Sequence, residues 1–205
     1  MGSSSRRFAP YHAGTPFDDP TYKPFTRDLE KAKQLLQSAQ ANGLPWPASF
    51  PLYTGPMGVY PKLVQIIQAN LAEIGVNVDI QQEADAAYNA RVDRNDWHWY
   101  VYSGGWSWRP DPSLFLRNLF HSASTYTLAR VYKDADVDRL IEQGEQEVAL
   151  DKRKALYQQL AEKLNQIGSS TFAYQEENVV AISPKLRGWT FRADGKHHFQ
   201  SMWLG

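Results

Sequence analysis

Between Gly105 and Phe115 the chain reads GWSWRPDPSLF, which sets two indoles, a hydroxyl, a guanidinium and a carboxylate within a few residues of one another. Indoles stack on small molecules, and a guanidinium holds an anionic group through paired hydrogen bonds. The set suits gripping a solute better than making or breaking a bond. Trp106 has two readings: a core residue at the end of a strand, or a wall against which a ligand lies. Trp108 faces the same side as Trp106 if the backbone stays extended through Ser107, and diverges if the chain turns there. Ser107 either donates to a ligand or satisfies its own turn. Arg109 either grips a carboxylate or phosphate, or stays solvated or paired with Asp111. Asp111, between two prolines, also suits the cap of a following helix. Trp106, Ser107, Trp108 and Arg109 are the candidate ligand-binding residues.

Other chemistry is poorly supplied. The chain has no cysteine, which excludes a disulfide framework, a thiolate metal site and a cysteine nucleophile. His197 and His198 are adjacent, so on an extended segment their rings face opposite ways; His12, His98 and His121 are scattered without a helical i, i+4 pairing. No metal and no cofactor is expected. There is no G-x-S-x-G elbow, P-loop or HExxH helix. The Glu176-Glu177 pair invites a glycosidase reading, but neighbours on a strand point apart. No enzyme is expected. Tyr53, Tyr100 and Tyr102 are strand aromatics, open to sheet packing or to ligand contact.

Bulk properties narrow the class further. The 22 basic and 22 acidic side chains cancel, so no field draws in nucleic acid or an anionic membrane. No apolar run approaches the roughly 18 residues of a membrane span. With 205 residues, 42% of them apolar, one domain or one lobe of a larger protein is expected. The opening MGSSSRR has the look of a tag, and no signal peptide is visible.

The elements that must carry the loop follow from periodicity. Residues 1–27 read as an irregular lead-in punctuated by Pro10, Pro16, Pro20 and Pro24. Asp28 caps a helix whose face holds Leu29, Ala32, Leu35, Leu36 and Ala39, stopped at Gly43. A strand at Phe50–Tyr53 precedes a helix from Pro61 with Leu63, Ile66, Ile67, Asn70, Leu71 and Ile74 as its stripe, ended by Gly75. Val76, Val78 and Ile80 alternate with polar residues as a half-buried strand. Ala84–Arg94 predicts a short helix and Trp97–Tyr102 an aromatic strand that empties into the loop. Pro112–Phe120 predicts another short helix. Two strong helices follow, one capped by Asp136 with Val137, Leu140, Ile141 and Val148. The other is capped by Asp151, carries Ala155, Leu156, Leu160, Leu164 and Ile167, and stops at Gly168. Phe172–Ile182 is strand-like, broken near Glu176–Asn178. The strand–helix alternation of the first half predicts an α/β fold, a mixed sheet flanked by helices.

Several of these segments resemble the family 5 extracellular solute-binding proteins of peptide- and nickel-type ABC importers. DLEKAKQLLQSA (28–39), QANLAEIGVNVDI (68–80), GGWSWRPDPSLFL (104–116), YKDADVDRLIEQG (132–144), RKALYQQLAEKL (153–164) and PKLRGW (184–189) are similar to family motifs in the same order. The resemblance implies a single lobe of a periplasmic-binding-protein-like fold. It would divide the chain into a lead-in (1–27), a ligand-binding lobe (28–183) and a return segment (184–205) toward a first lobe that the sequence lacks. It also implies export to the periplasm or cell surface, a peptide or other small solute, and an ABC permease as partner, without membrane insertion or nucleic acid. Trp189, Phe199 and Trp203 would then lie on an exposed hinge face able to drive self-association. Peptide-binding members commonly carry an Asp shortly after the Trp that matches Trp106, paired with the ligand's amino group. Here Trp108 and Arg109 occupy that zone, which favours an anionic or blocked ligand. Two further readings stay open: an interaction or scaffold module without solute affinity, and a hydrolase of exported glycans.

Overall fold

A computed structural model of the chain describes residues 4–6, 10–11, 15–43, 49–56, 58–94, 99–100, 111–124, 133–168, 170–172, 174–176, 179–190 and 198–205, with 4–6, 99–100 and 174–176 described as backbone. The chain divides into two compact units, one of Phe25–Ser103 and one of Met1–Pro24 with Gly104–Gly205.

The Phe25–Ser103 unit is α/β. Its elements are α1 (Leu29–Ala41), β2 (Phe50–Thr54), α2 (Tyr60–Ala72), β3 (Val78–Gln82), α3 (Asp85–Arg94) and β4 (Trp99–Tyr100), while β1 (Ser4–Arg6) belongs to the other unit. The three strands form a parallel sheet in the order β3-β2-β4. Leu52 faces Ile80 on one side and Trp99 on the other. Pro51 lies in the central strand without breaking its ladder. The Phe50 N–H donates to Asn77 O on the β3 side, so position 51 turns its nitrogen toward β4, and the described pairing with β4 starts at Leu52. The core is Leu52, Val64, Val76 and Val78, with Leu36, Ile67, Leu71 and Ile74 packed against it.

Local signals worked well here. Asp28 caps α1, accepting from the Lys31 N–H at 2.9 Å. Gly43 and Gly75, just past the ends of α1 and α2, have φ of 83° and 82°. The stripe of α2 is rotated from the predicted one. Val64 is its buried residue, whereas Ile66 and Asn70 are exposed. Two residues turn a helix by about 200°, so Val64 and Ile66 cannot share a face. Leu35 of α1 is likewise exposed.

Among the described residues the other unit holds three helices, α4 (Ser113–Phe120), α5 (Ala135–Gln146) and α6 (Leu150–Ile167). Its core joins Leu116, Leu119 and Phe120 of α4 to Val137, Leu140 and Ile141 of α5 and Tyr157, Leu160, Ala161 and Leu164 of α6. The proline-rich lead-in supplies Tyr11 to this core, with Phe17 and Tyr22 packed at its margin. Among the described residues the unit also holds two antiparallel ribbons, β1 with β5 (Tyr174–Glu176) and β6 (Leu186–Arg187) with β7 (Trp203–Leu204). A 3-10 turn at Phe199–Ser201 leads into β7.

Three details of these helices differ from the periodic reading. The N-cap of α5 is Asp134, two residues before Asp136, with its carboxylate accepting from the Asp136 and Val137 N–H groups. Asp151 lies in the first turn of α6, whose N-cap is Ala149, and so does not cap it. Val148 follows the end of α5 and is 96% exposed, because Glu147 has already left helical dihedrals. On α6, Ala155 is exposed, while Tyr157 and Ala161 take the buried face. Gly168 stops α6 in the left-handed region, as its position predicts.

Candidate functional site

In a parallel α/β sheet, ligands gather beyond the carboxyl ends of the strands, where the loops open. At those ends β2 runs out through Tyr53 and Thr54 into Gly55, and the Glu83 N–H after β3 donates to Thr54 O at 3.0 Å. Gly55 lies beside α3: a Cβ there would be in ordinary contact with Asp85 Oδ1 at 3.4 Å and the Tyr88 ring at 3.5 Å. Arg91 of α3 holds Glu83 through Nε and Nη2, at 2.6–3.0 Å, and its guanidinium lies 4.3 Å from the centre of the Tyr53 ring. The hydrogen bonds from Arg91 hold the Glu83 carboxyl below the usual carboxylate range. Of the two readings of Tyr53, the described contact is thus a cation on its ring.

After β4 the sequence runs into the indole-bearing segment. Trp106, Ser107, Trp108 and Arg109 lie outside the described residues, as do Tyr102, Glu177, His12, His98 and His197. The structure takes up the chain again at Asp111, two residues after Arg109.

Asp111 is held on both sides. Its Oδ1 accepts from the Ser113 N–H at 2.9 Å and from the Ser113 hydroxyl at 2.6 Å, so it secures the first turn of α4. Both of its oxygens also take the fork of Arg153, at 2.6 and 2.9 Å. Burial would push this carboxyl up, but Arg153 and the two Ser113 donors hold it below its ordinary value. Arg153, in the first turn of α6, also donates Nε to Gly144 O at 2.6 Å and Nη2 to the Tyr157 hydroxyl at 3.2 Å. Its guanidinium lies 5.3 Å from the Phe17 ring centre and 5.2 Å from that of Tyr157. Below it, the Tyr11 hydroxyl donates to Tyr157 O.

Sequence reasoning missed Arg153. A signal was there: Lys152, Arg153 and Lys154 stand in and just after the first turn of a helix, where the macrodipole disfavours cations. A residue placed against that gradient has a partner elsewhere.

Of the described histidines, His121 has a structural role. His121 is buried at the end of α4, accepts from the Ala123 N–H at Nδ1 (3.1 Å), and so presents an Nε2–H to Glu142 Oε1 at 3.1 Å. Among the described residues no group of His, Cys, Asp and Glu is arranged to hold a metal ion. Among them, too, no helix is long and apolar enough to cross a membrane.

Residues 2–127, more than half of the chain, match the profile of the bacterial extracellular solute-binding proteins, family 5 (middle region). The chain belongs to that family. Among solved structures it is similar to HbpA2 from Haemophilus parasuis, 25% identical with a TM-score of 0.73 over 94% of this chain and 40% of that one. It is also similar to the oligopeptide-binding protein AppA from Bacillus subtilis in complex with a nonapeptide (21%, TM-score 0.80, 98% of this chain and 43% of that one). A third is the nickel ABC transporter from Bacillus halodurans (20%, TM-score 0.71, 97% and 43%). The likeness to the last two speaks for the fold alone. The chain thus spans about two fifths of the length of these relatives. No curated protein matches it.

Proposed function

We propose that this chain is the solute-binding lobe of an exported receptor that delivers a peptide or other small solute to an ABC permease. The observation that carries this reading is the family match over residues 2–127, which spans the indole-bearing loop. That loop follows the carboxyl end of a parallel strand, the position from which such folds contact ligands. In this reading Trp106 and Trp108 offer flat faces to the solute, Ser107 donates to it, and Arg109 takes an anionic group. No bond is made or broken. A second lobe closing over the solute would stabilise the bound form only through the added contacts that closure makes. AppA, with its nonapeptide, makes a peptide the first solute to try. Arg109 favours one with a blocked amino end or an added anionic group.

Calorimetry with trialanine, N-acetyl-trialanine, a maltooligosaccharide and citrate tests this reading. Millimolar or tighter binding of one probe, lost in Trp106→Ala, is expected. Arg109→Ala should weaken an anionic probe by roughly 2–5 kcal/mol if the pair is desolvated. Silence across all four probes would replace the solute reading with that of an interaction module.

A further inference from the structure

A glycine that ends a helix can also supply a nucleophile when an asparagine precedes it. Of the chain's asparagines, Asn42 alone is followed by glycine. We propose that Asn42 is a site of spontaneous deamidation, gated by the last turn of α1. The proposal is independent of the solute reading.

The step needs only the chain and water. The Gly43 nitrogen, after losing its proton to solvent base, attacks Asn42 Cγ. A bond from that nitrogen to Cγ forms, the bond from Cγ to Nδ2 breaks, and Nδ2 takes a proton from water and leaves as ammonia. The product is a five-membered succinimide. Water then adds to one of the two ring carbonyls and opens the ring to aspartate or isoaspartate. Glycine suits the attack because no Cβ crowds its nitrogen. A Cβ placed on Gly43 would meet nothing within 4 Å, and both residues are exposed, so water and base reach the reacting atoms.

The closed helix end works against the step. Asn42 Nδ2 donates to Ser38 O at 2.9 Å, which ties the leaving group back along the helix. The Asn42 N–H donates to the same oxygen at 3.1 Å, and the attacking Gly43 N–H is engaged with Gln40 O at 3.0 Å. Little keeps this turn closed. No residue of α1 is buried, and the helix reaches the apolar cluster of its unit through the partly buried Leu36. A helix end with so few buried contacts opens at low cost. The reaction therefore runs through the frayed turn, and its rate follows how often that turn opens.

The product does not restore what was lost. A carboxylate at position 42 has no N–H for Ser38 O and stands at the negative end of the helix macrodipole. Isoaspartate also adds a methylene to the main chain just before Gly43, whose φ of 83° makes the helix stop. The modified chain keeps a looser end on α1.

The test incubates the full chain in mildly alkaline buffer, with and without urea, and follows the peptide holding Asn42 by mass spectrometry with fragmentation that separates isoaspartate from aspartate. Conversion at Asn42 is expected in both, faster in urea, while Asn70, Asn77 and Asn89 keep their amides. Asp28→Ala removes the N-cap of α1 and leaves Asn42 and Gly43 untouched. It should speed conversion of the folded chain by about threefold to tenfold and hasten amide exchange at Gly43. Asn42→Asp, which builds one product directly, should hasten exchange of the amides over residues 40–43. An Asn42 that keeps its amide even in urea would overturn the site. Equal rates with and without urea would overturn the gate. So would an unchanged rate in Asp28→Ala when exchange at Gly43 has quickened. Unchanged exchange in Asn42→Asp would overturn the loosening.

Discussion

Gly144 shows how closely single residues are matched in the helical unit. It lies inside α5 with Tyr157 of α6 against it, so that an added Cβ would stand 2.2 Å from Tyr157 Cε1. In an exposed helix the change to alanine would gain about 1 kcal/mol from propensity. Here Tyr157 is fully buried, its hydroxyl accepts from Arg153 and its backbone carbonyl accepts from the Tyr11 hydroxyl, so neither ring nor backbone gives way easily. Overpacking of this kind costs roughly 1–3 kcal/mol and outweighs the gain. Gly144→Ala should therefore lower stability in urea unfolding, and a variant more stable than the parent would show the contact to be slack. The sequence marked Gly144 only as the last residue of a family-like segment. A small residue can be read from a sequence, but the ring that requires it comes from thirteen residues further on, in another helix.

At the scale of elements, the start of α5 separates what is local from what is not. Lys133–Asp138 offers three aspartates, at 134, 136 and 138, each able to cap. Asp134 does so because it takes extended dihedrals (φ −139°, ψ 119°) while its side chain receives two N–H groups of the first turn. It also meets Lys163 of α6 at 3.1 Å. Asp136 points outward to Arg139 and Lys163. Asp134→Ala should cost about 1–2 kcal/mol. Asp136→Ala should cost clearly less, since exposed pairs contribute little. Thermal unfolding of the two variants compares them directly, and an equal or reversed order would return the cap to Asp136. Asp28 and Gly168 were legible for the opposite reason: each has no rival of its type beside it. The stripe of α2 was legible in its spacing but not in its rotation, because Leu63 and Val64 are equally apolar and only the sheet decides which one it covers.

For the whole molecule, acid is the informative perturbation. Glu83 in one unit is held below its ordinary value by Arg91. In the other, burial raises Asp111 and Asp134, but hydrogen bonds from Arg153 and Ser113 to Asp111, and from Val137 and Lys163 to Asp134, prevail and lower both. A carboxyl with a depressed folded value adds stability that is complete above its unfolded value, about 4, and is lost as pH falls through the folded value. The thermal midpoint should hold from pH 7 to about 5 and fall steadily below about 4. Glu83→Gln should reduce the part of that fall that the Phe25–Ser103 unit contributes, read from amide exchange of β2 and β3. A midpoint that rises on acidification would show that these carboxylates are better off protonated. Each unit has its own apolar cluster, so local exchange can report each separately.

The amino-acid sequence by itself determined the helices with their glycine stops, the α/β character of one half, the absence of a charge field for nucleic acid, and the family; the sheet, expected as mixed, is parallel in the Phe25–Ser103 unit. These are decided within a turn or two of chain, by periodicity, capping chemistry and composition. Tertiary structure alone decided that Tyr11 enters the helical core, which face α2 buries, and that Arg153 closes on Asp111, 42 residues earlier. Such pairings depend on how distant segments come to lie together. Many arginines and aspartates in one chain could satisfy the same hydrogen bonds, and packing selects which do.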